Sequence, residues 1–300
     1  MTETNNMTLF VDYKDIPNVL FCHWIDRGGE YAFKIPRNQF NQDTLGTFPE
    51  SGEGTFRDKG CIYILYGEDT EGESAYIGQS VSIDTRLGVH AFSSKSWGWQ
   101  EALVFCRDDT DFDISHLKYI EEQLILKARN CRIPLRNDGV RPRKCATCDI
   151  NPAYEKTAND FIEGVQLICR TLGYKLFEPL PTVAEVTQPY ADTAQPLPDF
   201  PTFPAKASDR YKATGRFTGD GKTFIVFTGS TISPTETGTI PESGKRNRAE
   251  LQESGIIRNF RFEQDYVFNS PSAAAYVVGG ASANGYSFWE GLADYVPKQE

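Results

Sequence analysis

The sequence predicts an α+β fold, and three observations carry that prediction. Short β-branched and aromatic runs such as 61–66 alternate with polar, glycine-bearing turns. Other stretches, 113–129 above all, repeat their apolar residues every three or four positions, as a helix face requires. A proline-rich, charge-poor segment over 179–206 then divides the chain into unequal parts and reads as a stiff linker. The 300 residues suggest about two domains, and 39% hydrophobic with 13% aromatic residues is enough to build real cores. No apolar run of about 18 residues occurs and the first six residues are polar, so neither a membrane helix nor a signal peptide is expected. Seven scattered cysteines fit a reducing cytoplasm better than a disulfide framework. A net charge of −10 repels nucleic acid on average, so any such contact needs a local basic patch.

In chain order, residues 1–55 read as a small β-rich accessory module. Strand character marks 8–11, 19–23 and 31–35, weak helical character marks 38–45, and His23 and Trp24 read as packing residues. Residues 61–66 and 75–78 flank the acidic stretch GEDTEGES, a hairpin signature, after which Ile83, Arg86, Leu87 and His90 recur at helical spacing. A third strand is expected over 102–106, preceded by Trp97 and Trp99. Asp113 is placed to cap a helix running to Arg129. Its apolar stripe is Leu117, Leu124, Ile125 and Ala128; Glu121 falls on that stripe, whereas Glu122 is rotated away by about 100°. A second helix starts near Thr157 and closes at Gly173, bounding a central domain over 56–178. Beyond the linker, 207–300 reads as a separate α+β domain. It has a hairpin over 213–227, a helix over 246–253, a strand over 266–268, and a helix started by Ser270 and Pro271.

Chemistry concentrates on the hairpin and the helical segment after it. Tyr63 stands on the first strand, Tyr76 on the second with Gly78 just beyond, and Arg86 and His90 lie four residues apart on one helix face. Taken singly, each fits ordinary packing or solvation; together they can meet at one spot. They do so only if the two tyrosines share a face of the sheet. That requires paired residue numbers in the antiparallel hairpin to sum to an odd number, which is the register expected here. Glu121 needs a partner as well, because a carboxylate on a core-facing stripe is costly to bury unless paired or bound to a cation.

These residues resemble the motifs of the GIY-YIG endonucleases. The first motif stands as Cys61-Ile62-Tyr63, with cysteine where glycine is usual and Gly60 one place earlier; the second stands intact as Tyr76-Ile77-Gly78. The resemblance implies a small antiparallel three-stranded sheet flanked by helices, and hydrolysis of a nucleic-acid phosphodiester, expected to be DNA, with one Mg²⁺ or Mn²⁺. It assigns Tyr63, Tyr76, Arg86 and His90 to catalysis and expects a catalytic, metal-binding glutamate on a later helix, which the helix face places at Glu121, with Glu122 the runner-up. Gly78 is implied as a close-approach residue and Asn137 as a late asparagine near the centre. Two rival classes are a degenerate, non-cutting nucleic-acid-binding module and a protein-interaction scaffold that uses the flanking domains.

The expected phosphate footprint is the basic stretch of Lys127, Arg129, Arg132, Arg136, Arg141, Arg143 and Lys144, interrupted by the single acid Asp138. Cys145 and Cys148 form one CxxC, half of a zinc site, which Cys131 or His116 would have to complete; chance or a buried turn is the preferred reading. The tail, with SPSAAA and Ala283-Asn284-Gly285 ahead of Trp289, resembles an uncharacterised domain found behind GIY-YIG nucleases. There Lys245, Arg246, Arg248, Arg258 and Arg261 are weighed equally as a phosphate-binding face and as ordinary surface.

Overall fold

The computed structural model describes residues 7–12, 15–24, 30–39, 50–51, 54–55, 60–69, 72–83, 86, 97–107, 112–129, 131–137, 152–184, 200–219 and 221–295. Three strands lead the chain: β1 (Met7–Phe10), β2 (Leu20–Trp24) and β3 (Glu30–Pro36). A two-residue pair comes next, β4 (Glu50–Ser51) with β5 (Gly54–Thr55), and then the hairpin β6 (Cys61–Asp69) and β7 (Gly72–Ser80) and the strand β8 (Glu101–Arg107). Six of these form one antiparallel sheet in the order β1-β2-β3-β8-β6-β7.

That order corrects the expected organisation. The leading strands are not a module apart, because β3 pairs with β8 along its whole length, from Glu30 opposite Arg107 to Pro36 opposite Glu101. The expected three-stranded sheet, β8-β6-β7, is therefore one half of a six-stranded one. The physical reason is in β3 itself: Tyr31, Phe33 and Ile35 are buried on one face and Ala32 on the other, so this strand has no solvent side and must be internal. A buried ion pair, Arg107 to Glu30 at 3.1 Å, fastens one end of the ladder. The hairpin is also longer than expected, since Gly67, Glu68 and Asp69 continue the ladder opposite Ser74, Glu73 and Gly72.

Two helices cover one face of the sheet. α1 (Ile114–Ala128) is capped as expected by Asp113, whose carboxylate accepts from the backbone N–H groups of Ser115 and His116. α2 (Pro152–Thr171) starts five residues before the expected Thr157 and ends at Gly173, whose φ of +86° needs a residue without a side chain. Ile62, Ile64, Ile77, Leu103 and Phe105 of the sheet pack against Leu117, Ile120 and Leu124 of α1 and Phe161, Val165 and Ile168 of α2. The opposite face carries a second cluster, in which Tyr63, Leu65, Phe33, Val104 and Trp99 meet. The weak helix expected over 38–45 is reduced to a 3-10 turn, Arg37–Gln39, with 40–45 outside the described residues.

The edge of β7 is closed rather than left open. Ala75 exchanges backbone hydrogen bonds with Pro134 and Arg136, and Leu135 lies parallel beside it, so residues 134–136 act as a short extra strand.

The C-terminal unit begins at Phe200, not at residue 207, because Phe200 and Phe203 belong to its core. β9 (Phe203–Pro204), β10 (Thr214–Phe217), β11 (Phe224–Val226) and β14 (Tyr266–Phe268) form an antiparallel sheet in the order β14-β11-β10-β9, while β12 (Ile257–Arg258) and β13 (Arg261–Phe262) make a separate tight pair. Three helices complete the unit: α3 (Glu242–Glu253), α4 (Pro271–Gly279) and α5 (Gly285–Phe288). Ser270 caps α4 with proline in its first turn, as the sequence signals. Among the described residues no helix is long and apolar enough to cross a membrane.

Because β1–β3 share a core with the hairpin, Phe33→Ala should cost about 3–5 kcal/mol and lower the urea midpoint of the whole region 7–178 in one transition. Separate melting of the first strands, with the hairpin and helices unaffected, would return them to the status of an accessory module.

Candidate functional site

The β6–β7 register sets the site. Tyr63 pairs with Gly78 and Leu65 with Tyr76, the odd register, so both tyrosines emerge on the same face. Their rings lie 6.2 Å apart between centroids and 18° from parallel. Gly78 explains how Tyr63 reaches the sheet edge: a Cβ there would stand 2.4 Å from both Cζ and Oη of Tyr63. Only glycine leaves room for the ring to lie across β7.

Arg86 meets that hydroxyl, its Nε donating to Tyr63 Oη at 3.0 Å. Its own backbone N–H donates to Ser82 C=O, the i to i−4 bond of a helical turn. His90 lies outside the described residues.

Glu121 joins the group electrostatically. Burial pushes its carboxyl up to about 7, against the pull of Arg86 and Lys118 and with a further push from Glu122. The Tyr63 hydroxyl is pushed well above its ordinary value, first by burial and then by Tyr76; Arg86 works against the shift and Glu121 adds to it. Glu121 feels Arg86, and Tyr63 feels both. Tyr63, Tyr76, Gly78 and Arg86 thus meet at one spot, and Glu121 lies close enough to act on Tyr63 and to be acted on by Arg86. Lys118 was missed, although its place three residues before Glu121 on a helix was a signal.

Asn137 takes a different part from that of a reacting group. It is 6% exposed, donates from Nδ2 to Ile77 C=O at 2.6 Å and accepts the Ile77 N–H at 3.4 Å. It holds the backbone between Tyr76 and Gly78 and extends the edge closure begun at Ala75.

The basic stretch is only partly a surface of cations. Arg132 lies 3.4 Å from Glu178, and Arg136 donates to Ser74 Oγ at 3.0 Å with its guanidinium 5.0 Å from the Trp97 ring. Lys127 is exposed on the last turn of α1 and Arg129 is the C-cap of that helix, while Arg141, Arg143 and Lys144 lie outside the described residues. Trp99 is buried in the sheet core, with the Arg37 guanidinium 5.0 Å from its ring.

Zinc gains no support from the residues named for it. Cys131 donates to Lys127 C=O at 3.2 Å and burial raises its thiol, opposing the thiolate that zinc requires. His116 pairs with Asp113 at 3.0 Å and packs on Tyr154, and Cys145 and Cys148 lie outside the described residues. Among the described residues no group of three or more His, Cys, Asp or Glu side chains is placed to hold a metal.

The C-terminal cluster departs furthest from the phosphate-face reading. Arg248 is 2% exposed, with Nε on Glu236 at 3.0 Å, Nη2 on Ser233 C=O at 2.7 Å and Nη1 on Val277 C=O. It is an interior tie between α3, α4 and the 233–236 loop. Lys245 and Arg246 lie 2.6 Å from Glu242 and 3.7 Å from Glu250, pairs made along the helix.

Comparison with known proteins finds one family. A model described as a domain of unknown function, DUF4357, matches residues 203–295, the C-terminal unit. No curated protein and no solved structure matches the chain.

Glu121 generates a stability prediction that needs no substrate. Its folded value of about 7 exceeds the ordinary 4.5, so the folded state keeps a proton that the unfolded chain releases. Stability from this group is full below the ordinary value and is lost as pH rises through about 7. In divalent-free buffer Glu121→Gln should therefore flatten the decline, gaining roughly 1–3 kcal/mol on the wild type by pH ~8. Parallel urea-stability profiles for the two proteins would show that Glu121 is not held in this environment.

Proposed function

We propose that this chain is a divalent-metal-dependent endonuclease of the GIY-YIG kind, hydrolysing nucleic-acid phosphodiester bonds, with DNA as its substrate. The observation that carries the reading is the Tyr63 hydroxyl, laid over Gly78, bonded to Arg86, stacked beside Tyr76 and within the field of a carboxyl poised near neutrality.

The donor chemistry fits the cation. Glu121 is a half-buried carboxylate whose charge is unwelcome where it sits, and a hard divalent ion relieves that cost. Mg²⁺ and Mn²⁺ accept one or two carboxylates and fill the rest of their shell with water and phosphate oxygens, so a single glutamate is a sufficient protein ligand. When bound, the ion supplies charge neutralisation at the scissile phosphate.

The chain's own groups do the rest. Arg86 brings a fixed cation to the same phosphate, stabilising charge that grows in the transition state. Tyr63 accepts from Arg86 through its oxygen and so keeps its own proton. With its pKa pushed upward it stays a phenol at neutral pH, suited to orient the attacking water and relay a proton rather than to remove one unaided. Tyr76 aligns water or phosphate beside it. Asn137 fixes the strand that carries Tyr76 and Gly78. Arg136, Arg129 and Lys127 position the backbone of the substrate, together with Arg132 when it exchanges Glu178 for phosphate.

In this reading, supercoiled plasmid incubated with Mg²⁺ or Mn²⁺ should be nicked, and EDTA should stop the reaction. Glu121→Gln should lower the rate by about two orders of magnitude or more, the scale at which a transition-state charge contact is lost, while Glu122→Gln stays near wild type. Arg86→Ala should depress the single-turnover rate more than it weakens binding. Binding without metal-dependent cleavage across DNA and RNA panels would favour the degenerate module, and absence of binding would favour the protein-interaction scaffold.

A further inference from the structure

Between the two folded units lies a cavity of about 210 Å³. Arg129 and Arg136 line it from the N-terminal side, and Ser243, Asn247, Asn269 and Tyr276 from the C-terminal side. Glu73, the acid on its wall, is neutralised across the gap by Lys222 at 2.7 Å. In a chain of net charge −10, the cavity thus concentrates guanidinium, amide and hydroxyl groups around an aromatic ring.

Two further observations point to what such a cavity takes. Asn247 lines the cavity, and its Oδ1, buried beneath the wall, has no hydrogen-bond partner among the described residues, so a rotation of the amide on ligand binding would satisfy it. The cavity also adjoins the strand that carries Tyr76. Ser74 lines the cavity and shares a face of that strand with Tyr76, because side chains two apart on a strand point the same way. Two residues along a strand span only about 7 Å. Arg136 donates to Ser74 and lies over Trp97, so one guanidinium belongs both to the cavity and to the approach to Tyr76.

We infer that this cleft receives one unstacked nucleotide of a single-stranded segment flanking the scissile bond, an inference that rests on the nuclease reading. The two arginines take the phosphate, Tyr276 offers a ring for the base, and Asn247 and Asn269 meet polar edges of base or sugar. The volume lies below the ~300–1,000 Å³ of pockets that enclose drug-sized molecules, so a nucleotide enters it only in part, with the rest left in solvent, and there is no room for a duplex. The match to a domain of unknown function covers the C-terminal wall, so that unit acquires a role as the second jaw, holding the strand on which the first unit acts.

The test uses the full chain carrying Glu121→Gln in EDTA, so that binding is read without cleavage. Anisotropy is measured with a short labelled single-stranded oligonucleotide and with a blunt duplex of equal length. Ser243→Glu and, separately, Asn247→Asp place a carboxylate in the cleft at half-buried positions outside both cores, and thermal melting checks each fold. The parent should prefer the single strand, and each variant that keeps its melting temperature should bind it tenfold or more weakly while duplex affinity is unchanged. Equal loss for both ligands, no loss, or no single-strand preference in the parent would overturn the inference. Nicking by the otherwise wild-type chain is assayed in parallel: nicking without cleft-dependent binding defeats the cleft alone. Cleft-dependent binding without nicking leaves the cleft standing and defeats the nuclease.

Discussion

The site depends on one close approach, the Tyr63 ring lying across Gly78. Side chains on a strand alternate and the β6–β8 pairing fixes the face of Tyr63, so a slip of one residue in the β6–β7 pairing would send Tyr76 to the helix-covered face and place another residue opposite Tyr63. With the register as it is, the ring passes over the edge strand because nothing but a hydrogen stands on Gly78. The hydroxyl then sits where Arg86 can donate to it, and Tyr76 is placed by the same alternation two residues earlier on β7. The neighbouring edge is held by backbone pairing at Ala75 and by the Asn137 amide at Ile77, which fixes the strand on both sides of Tyr76.

Burial and charge oppose one another at Glu121, and the balance lies near neutrality. Burial alone would keep the carboxyl protonated; Arg86 and Lys118 draw it back, and Glu122 pushes it up again. A group balanced in this way changes its protonation state near neutral pH with little free energy. Burial raises the Tyr63 hydroxyl as well, with Tyr76 adding to the shift and Arg86 opposing it, so environment as well as intrinsic acidity sets the state of both groups.

Charge on its own was a weaker guide. Arg248 reads in the sequence as one member of a basic cluster, yet its guanidinium satisfies two interior carbonyls and Glu236. An arginine with its fork of donors can serve as a buried tie as readily as a phosphate ligand, and spacing does not distinguish the two uses. The leading strands teach the same lesson about boundaries. Composition separates 1–55 from the hairpin region, but Phe33 and Ile35 bury their side chains against residues of β8 and β6, and the core does not respect the sequence boundary.

Local physics was legible in the sequence wherever a decision involves neighbours along the chain. The cap at Asp113, the helix stop at Gly173, the Ser270-Pro271 start, the β10–β11 hairpin and the shared face of Tyr63 and Tyr76 all rest on contacts within a few residues or on the period of two. Glu121 could be singled out over Glu122 for the same reason, because helix rotation alone sets them about 100° apart. Tertiary structure decided what depends on partners distant in sequence: that β3 joins β8, that 134–136 closes the β7 edge, that Arg132 has an acid beside it, and that Arg136 reaches Ser74 and Trp97. Those outcomes come from which surfaces meet when the chain collapses, and a sequence pattern specifies that a strand has two apolar faces without saying which strand will cover them.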